Sequence, residues 1–422
     1  MNIDMNKQRV ESSNIRKDDA SIIKGWKKSF YTIISGQAVS IIGSGAVQFS
    51  LIWWLTSEFN SSTILSLAGL LAFLPQAILG PFAGVWVDRI KRKTIMICAD
   101  LFMGIVAMLL AFYFYLGMPP YWVICIVLGV RAVGAVFHTP AVQSTMPLLV
   151  PKEELLRVNS ISQLLQTGSN LLAPIIGAAM FSFLPMHIIL LTDLVGAIIA
   201  CSTVAIVKIP ELNNNVLVKR YFINDLKEGI KCFMDDKKLS SYTIILFICT
   251  MFYMPLGMLF PLMVSDVFKG SEWHASAAQT IYTIGMLSAA MLLGVIGGKI
   301  KSKLFASKLG LILFALSLFI GGVLPHSSLG LWIFLITCYF MGMGVNISNI
   351  PYISYIQETM PEEKQGRGLS LYYTLVSAAM PIGLIFAGPI SETLGLPLWF
   401  IIAGIGMILA IFIGKIFEKI WK

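Results

Sequence analysis

Asp100, Arg131, His138 and Asp193 lie inside long apolar runs of the sequence, and Glu58 lies at the mouth of one. A charge at the centre of a membrane span costs at least about 2.5–3.5 kcal/mol, so ionisable groups there bind something, relay protons or hold helices together. Arg131 is ten residues into its run, and Gly134, Ala135, His138, Val142 and Thr145 continue its face at helical steps. An arginine so placed favours the charged form of a nearby acid. His138 suits proton transfer near neutral pH, with hydrogen-bonded packing as its other reading. Asp100 stands about one and a half turns inside its run and reads as a tether for the basic turn before it. Asp193 sits deeper, as a candidate for binding a cation or a proton. Glu58 reads as a solvated acid.

Uncharged side chains add a second pattern. Gln37, Ser40, Ser44 and Gln48 recur at spacings of three, four and four, which puts them on one helix face. Such a face lines a water-filled cavity or a helix contact. Met251, Met254 and Met258, with Phe247, Tyr253 and Pro255, offer an adaptable apolar wall. Asn346 and Asn349 sit in a later run. Together these read as a mainly apolar substrate cavity, with ordinary packing as the other reading of each residue. The sequence has no G-x-x-x-x-G-K-[ST], H-E-x-x-H or G-x-S-x-G motif. Its six cysteines form no C-x-x-C pair. Neither an enzyme, a cofactor nor a metal site is expected.

The elements that must position these groups are membrane helices. The chain has 422 residues, 57% apolar and 13% charged, with mean hydropathy +0.80. Soluble domains carry about 25% charged residues. Twelve runs read as spans, at roughly 29–55, 64–87, 94–116, 121–145, 157–184, 186–208, 240–265, 276–298, 305–324, 329–356, 368–391 and 396–417. The expected organisation is an all-α integral membrane protein. A polar tail at 1–28, disordered at its start, precedes a six-helix bundle at 29–208. A linker at 209–239 leads to a second six-helix bundle at 240–417 and a tail at 418–422. No small-residue cleavage site follows the first run, so it is not read as a signal peptide.

The net charge of +9 does not point to nucleic acid, because of where the charges fall. With the N-terminus inside, 29 of the 31 Lys and Arg lie on the inner side, leaving Lys269 outside and Arg131 within a span. That bias predicts both termini in the cytoplasm. In the linker, Ile223, Leu226, Ile230 and Phe233 recur at helical spacing, predicting an amphipathic helix on the inner membrane surface. The halves also echo each other. Gln143-Ser-Thr-Met-Pro147 recurs as Gln357-Glu-Thr-Met-Pro361, and Pro174 has a counterpart in Met380-Pro381-Ile-Gly383.

Several motifs resemble those of the major facilitator superfamily of secondary transporters. Gly84-x-x-x-Asp88-Arg89-x-x-Arg92-Lys93 is similar to its loop-2/3 motif, with Lys91 where the family usually has Gly. Leu128–Ala135 is similar to its span-4 motif, whose arginine is associated with proton coupling; here that residue is Arg131. Ala173-Pro174-Ile-Ile-Gly177-Ala178 partly matches its antiporter motif, with Ala replacing Gly twice. Gly36–Ile41, Phe73–Pro75, Phe137–Ala141, Pro147–Pro151 and Leu259–Leu262 resemble the macrolide-efflux branch of its drug–proton antiporters.

The resemblance implies two six-helix bundles in a bacterial cell membrane, acting as a monomer. It implies efflux of bulky, weakly basic drugs in exchange for protons, by alternating access. Spans 1, 4, 7 and 10 would line the cavity, and spans 3 and 6, with Asp100 and Asp193, would lie at the periphery. Asp88 would latch the inner turn to Arg367–Ser370. The alternatives are import of a sugar or metabolite, export of another small molecule such as a siderophore, and a membrane receptor or scaffold.

Overall fold

A chain segment in lipid must satisfy its backbone hydrogen bonds internally, which makes each apolar run a helix. The computed structural model describes residues 2–151, 154–209, 236–296, 300–360 and 362–420. Twelve helical segments are long and apolar enough to cross a membrane, and no strand occurs among the described residues. In the first half these are α1 (Asn2–Phe59), α2 (Ser62–Arg89), α3 (Arg92–Leu116), α4 (Tyr121–Leu149), α5 (Leu155–Phe183) and α6 (Met186–Ile206). The seventh crossing is composite, with α7 (Lys237–Tyr253), α8 (Leu256–Leu262) and a π-helical turn at Met263–Val267. Pro255 is the N-cap of α8. The remaining helices are α9 (Glu272–Ile296), α10 (Lys303–Val323), α11 (Ser328–Thr359), α12 (Glu362–Leu394) and α13 (Leu396–Ile420).

Polar caps set several starts. Ser61 accepts from Ile64 N at the head of α2, and Asp236 accepts from Lys238 N and Leu239 N at the head of α7. Pro120 and Pro185 precede α4 and α6. The backbone of α1 is helical from Asn2 into the first span, and the sequence there holds no proline and no glycine before Gly25. The linker residues Ile223, Leu226, Ile230 and Phe233 lie outside the described residues.

The two halves pack alike. In the first, α1 meets α5 and α6, α2 meets α4, and α3 meets α4 and α6. Each pairing recurs six crossings later: α7 meets α12 and α13, α9 meets α11, and α10 meets α11 and α13. Matching close approaches fix the two seams. A Cβ on Gly177 would stand 2.7 Å from Ala46 O of α1, and one on Gly383 would stand 2.2 Å from Met251 O of α7. The halves join where α2 packs on α12 and α5 on α9.

Among the described residues, side-chain hydrogen bonds of Glu392, Asp266 and Glu272 join the halves at the end that holds the α1–α2 turn. Glu392 of α12 accepts from Ser61 Oγ (2.9 Å), Ser62 Oγ (3.0 Å) and Thr63 N (3.0 Å) at the start of α2. Asn60 donates to Asp266 (3.0 Å), and Ser182 donates to Glu272 (2.8 Å). A carboxylate at a helix N-terminus also meets the positive end of the helix dipole.

Candidate functional site

The first half borders a partly open cavity of about 800 Å³, lined by residues between Ile34 and Ala173 from α1 to α5. Drug-sized ligands occupy pockets of about 300–1,000 Å³. The α1 stripe is where its spacing placed it, with Gln37, Ser40, Ser44 and Gln48 all on the wall. Arg131 and His138 of α4 join them.

Two carboxylates are held there by different partners. Asp193 of α6, 3% exposed, pairs with Arg131 at 2.6 Å and accepts from Ser44 Oγ at 2.5 Å. Asp100 of α3, 1% exposed, accepts from Gln37 Nε2 (3.2 Å) and Ser40 Oγ (3.4 Å). His138 Nε2 lies 3.3 Å from Asp100 Oδ2, at an angle that makes no hydrogen bond. Arg131 and His138 are seven residues apart on α4, two turns and about 10 Å along the axis. The two acids therefore form separate sites stacked along the same pair of helices, α1 and α4. A buried ion pair this close is strongly destabilised when one partner is removed.

These positions correct two expectations. Asp100 does not tether the basic turn; it reaches α1 and α4, and Lys93 of that turn is anchored instead on Ala205 O (2.7 Å) and Val207 O (2.9 Å) of α6. That places a cation at the C-terminal end of α6, where the dipole favours it. Asp100 and Asp193 are not peripheral, because α3 and α6 each turn one buried acid inward toward α1 and α4. The cavity surface is mainly apolar, as expected, although more than half of its lining residues carry a polar group.

The second-half candidates take no part in lining this cavity. Met258 is buried against the position of Gly69, and Met254 packs on the apolar core. Met251 lends its carbonyl to the close α7–α12 seam. Asn346 donates to Met286 O (2.8 Å), and Asn349 accepts from Tyr372 (3.1 Å). Spacing alone cannot separate such packing residues from lining ones. Glu58 is exposed at the end of α1.

In the partial antiporter motif, Pro174 is buried in α5 and Ala173 reaches the cavity wall. A Cβ on Gly45 would stand 2.7 Å from Ala173 Cβ, and Ser50 Oγ bridges to Gly177 O at 3.1 Å. These small residues bring α1 against α5. The side chains of Gly84, Asp88, Arg89 and Arg367–Ser370 lie outside the described residues; Arg92 begins α3.

Sequence reasoning missed the amides facing the α1 stripe. Gln163, Gln166 and Asn170 line the cavity from α5, and Gln76 and Gln143 do so from α2 and α4. The spacings of three and four at 163, 166 and 170 are the same signal that marked α1.

Comparison with known proteins agrees with this architecture. The family model described as "Major Facilitator Superfamily" matches residues 33–384 and 242–420. Macrolide efflux protein A of Streptococcus pyogenes is 39% identical over 383 residues, covering 90% of this chain and 93% of its own. The protein of that name from Enterococcus faecalis is 38% identical over 329 residues, covering 77% of this chain and 100% of its own. Among solved structures, a variant of the nucleoside transporter NupG superposes with TM-score 0.76 at 9% identity, covering 92% of this chain and 99% of that one.

Proposed function

The chain belongs to the Major Facilitator Superfamily, and from that premise we propose that it exports macrolide antibiotics in exchange for protons by alternating access. The observation that carries the coupling is the buried Arg131–Asp193 pair beside a drug-sized cavity. A proton on Asp193 cancels the charge that holds Arg131 and weakens the bond from Ser44. Asp100, beside His138, provides a second proton-accepting site two turns along α4. Loss of the Asp193 charge loosens α6 from α1 and α4, the helices that wall the cavity.

The charge bias of the sequence supports a bacterial cell membrane with both termini in the cytoplasm. The hydrogen bonds of Glu392, Asp266 and Glu272 then lie at the outer surface, where they close the space between the halves. Asp88, with Gly84, Arg89, Arg92 and Lys93, supplies the latch on the inner side, and Asp88→Asn tests it. Each chain acts alone.

Accumulation of a radiolabelled macrolide, in cells with and without the protein, tests the whole reading. The protein should lower accumulation, and a protonophore should restore it. Unchanged accumulation excludes macrolide export; lowered accumulation that ignores the protonophore excludes proton coupling. The polar wall favours a second reading, transport of a hydroxylated metabolite, which counterflow with labelled sugar distinguishes.

A further inference from the structure

The export reading makes Asp193 a proton acceptor, yet Asp193 does not line the cavity. Its side chain is 3% exposed, and the wall is made by residues of α1 to α5, with α6 behind them. A proton that loads Asp193 from the cavity must therefore pass through a neighbour. The packing of α6 closes the direct routes. A Cβ on Gly196, on the next turn of α6, would stand 3.4 Å from Ser40 Cα of α1, and one on Gly36 of α1 would overlap Thr203 of α6. Toward the other end of α6, Ile189 and Leu190 are fully buried. Apolar packing of this kind holds no chain of water.

Two cavity-lining residues touch the acid. Arg131 Nη2 donates to Asp193 Oδ2 at 2.6 Å, and Ser44 Oγ donates to Asp193 Oδ1 at 2.5 Å. A guanidinium only donates and keeps its protons, so Arg131 holds the carboxylate but hands it nothing. A hydroxyl both donates and accepts. Ser44 is half-buried, with one side on the cavity wall and the other on Asp193. Its contact lies at the short end of the range for a hydroxyl on a carboxylate, where a proton has the least distance to move. Asp100 and His138 line the cavity themselves and need no intermediary.

We propose that the Ser44 hydroxyl is the relay that carries protons between the cavity and Asp193. The proposal rests on the export reading and adds the route by which the proton reaches its acceptor. In loading, Ser44 Oγ takes a proton from hydronium, which is left as water, as its own hydrogen passes to Asp193 Oδ1. Ser44 ends as a neutral hydroxyl and Asp193 as a neutral acid; unloading is the reverse. Arg131 of α4 is the charge that faces this contact. Asp100 of α3 and His138 of α4 lie farther along the same wall, and α2 and α5 present only neutral side chains to it.

The test is uptake of radiolabelled erythromycin into proteoliposomes holding the full chain, driven by an imposed pH difference and measured in water and in heavy water. Ser44→Ala should lower the maximal rate by roughly tenfold or more, the scale of a lost proton-transfer group, without a matching rise in KM. It should also raise the solvent isotope effect, because proton delivery has become the slow step. Ser44→Thr, which keeps the hydroxyl, should restore both. Ser44→Val has the shape of Ser44→Thr without the hydroxyl and should behave as Ser44→Ala, which separates the hydroxyl from packing; thermal unfolding checks that each variant is folded. A serine that only positioned Asp193 or touched the drug would alter KM or stability and leave the isotope effect alone. Wild-type rates in the folded alanine or valine variant, or slow transport with the wild-type isotope effect, overturn the relay while proton-driven export stands. If the wild-type protein moves no drug under a pH difference, the export reading falls and the relay with it.

Discussion

Asp193 and Arg131 are held together by a 2.6 Å contact at a site with almost no solvent, and this fixes what each substitution should do. Asp193→Asn leaves a guanidinium buried without its partner, a loss of about 3–5 kcal/mol. Arg131→Gln strands the carboxylate to a similar degree. The double variant removes both charges and should recover most of that stability, as read from thermal unfolding in detergent. It should not recover function. Macrolide export driven by an imposed pH difference should fall by roughly tenfold or more in vesicles, the mark of a lost coupling group. Passive counterflow of drug should continue. Export by the double variant at the normal rate would remove Asp193 from the coupling site. Arg131 was legible in the sequence because a guanidinium ten residues into an apolar run has no cheap explanation. The inward placement of Asp100 and Asp193 was not, because a helix's own spacing does not say which neighbour its single acid faces. Ser44 and Gln37 supply that answer only once α1 is packed between α5 and α6.

At the level of elements, the α1–α5 seam depends on missing side chains. Gly177→Val places its first carbon 2.7 Å from Ala46 O and 2.9 Å from Phe49 Cδ1. Overpacking of this kind costs about 1–3 kcal/mol. Export and thermal stability should both fall. Gly168→Ala, on the same helix with nothing within 4 Å, is the control. It should raise stability by up to about 1 kcal/mol through helix propensity. Equal behaviour of the two variants would show that the seam is not tight. The twelve crossings were readable to within a few residues, since length and hydropathy suffice for them. The π-helical turn at Met263–Val267 was not, because neither composition nor periodicity there differs from an ordinary span. The polar face of α5 could have been read by the test that found the α1 stripe. The stronger pattern on the same helix is the packing motif at Pro174 and Gly177.

Across the whole molecule, three acids of the second half, Asp266, Glu272 and Glu392, accept hydrogen bonds from uncharged groups of the first. Bonds to charged groups contribute about 1.5–3 kcal/mol each. Glu392→Ala should therefore favour opening at that end. A cysteine at Ser66, a position only 4% exposed under the rim, should react with a membrane-impermeant thiol reagent roughly tenfold faster when Glu392 is replaced. An unchanged rate would show that Glu392 does not hold the halves closed. Among the described cysteines Cys98 is exposed, so the measurement starts from a Cys98→Ser background. The halves repeat in packing but not in chemistry. Asp100 of α3 is met from α1 and α4; at the matching junction, Ser307 of α10 bonds Tyr242 of α7 (2.5 Å) and Ser348 O of α11 (2.7 Å). The buried acids and the cavity thus belong to one half, and the matching junction of the other is closed by a phenol and hydroxyls. A fluorophore fixed to α11 should register the stroke without touching the cargo, while one fixed to α5 should register cargo before the stroke begins.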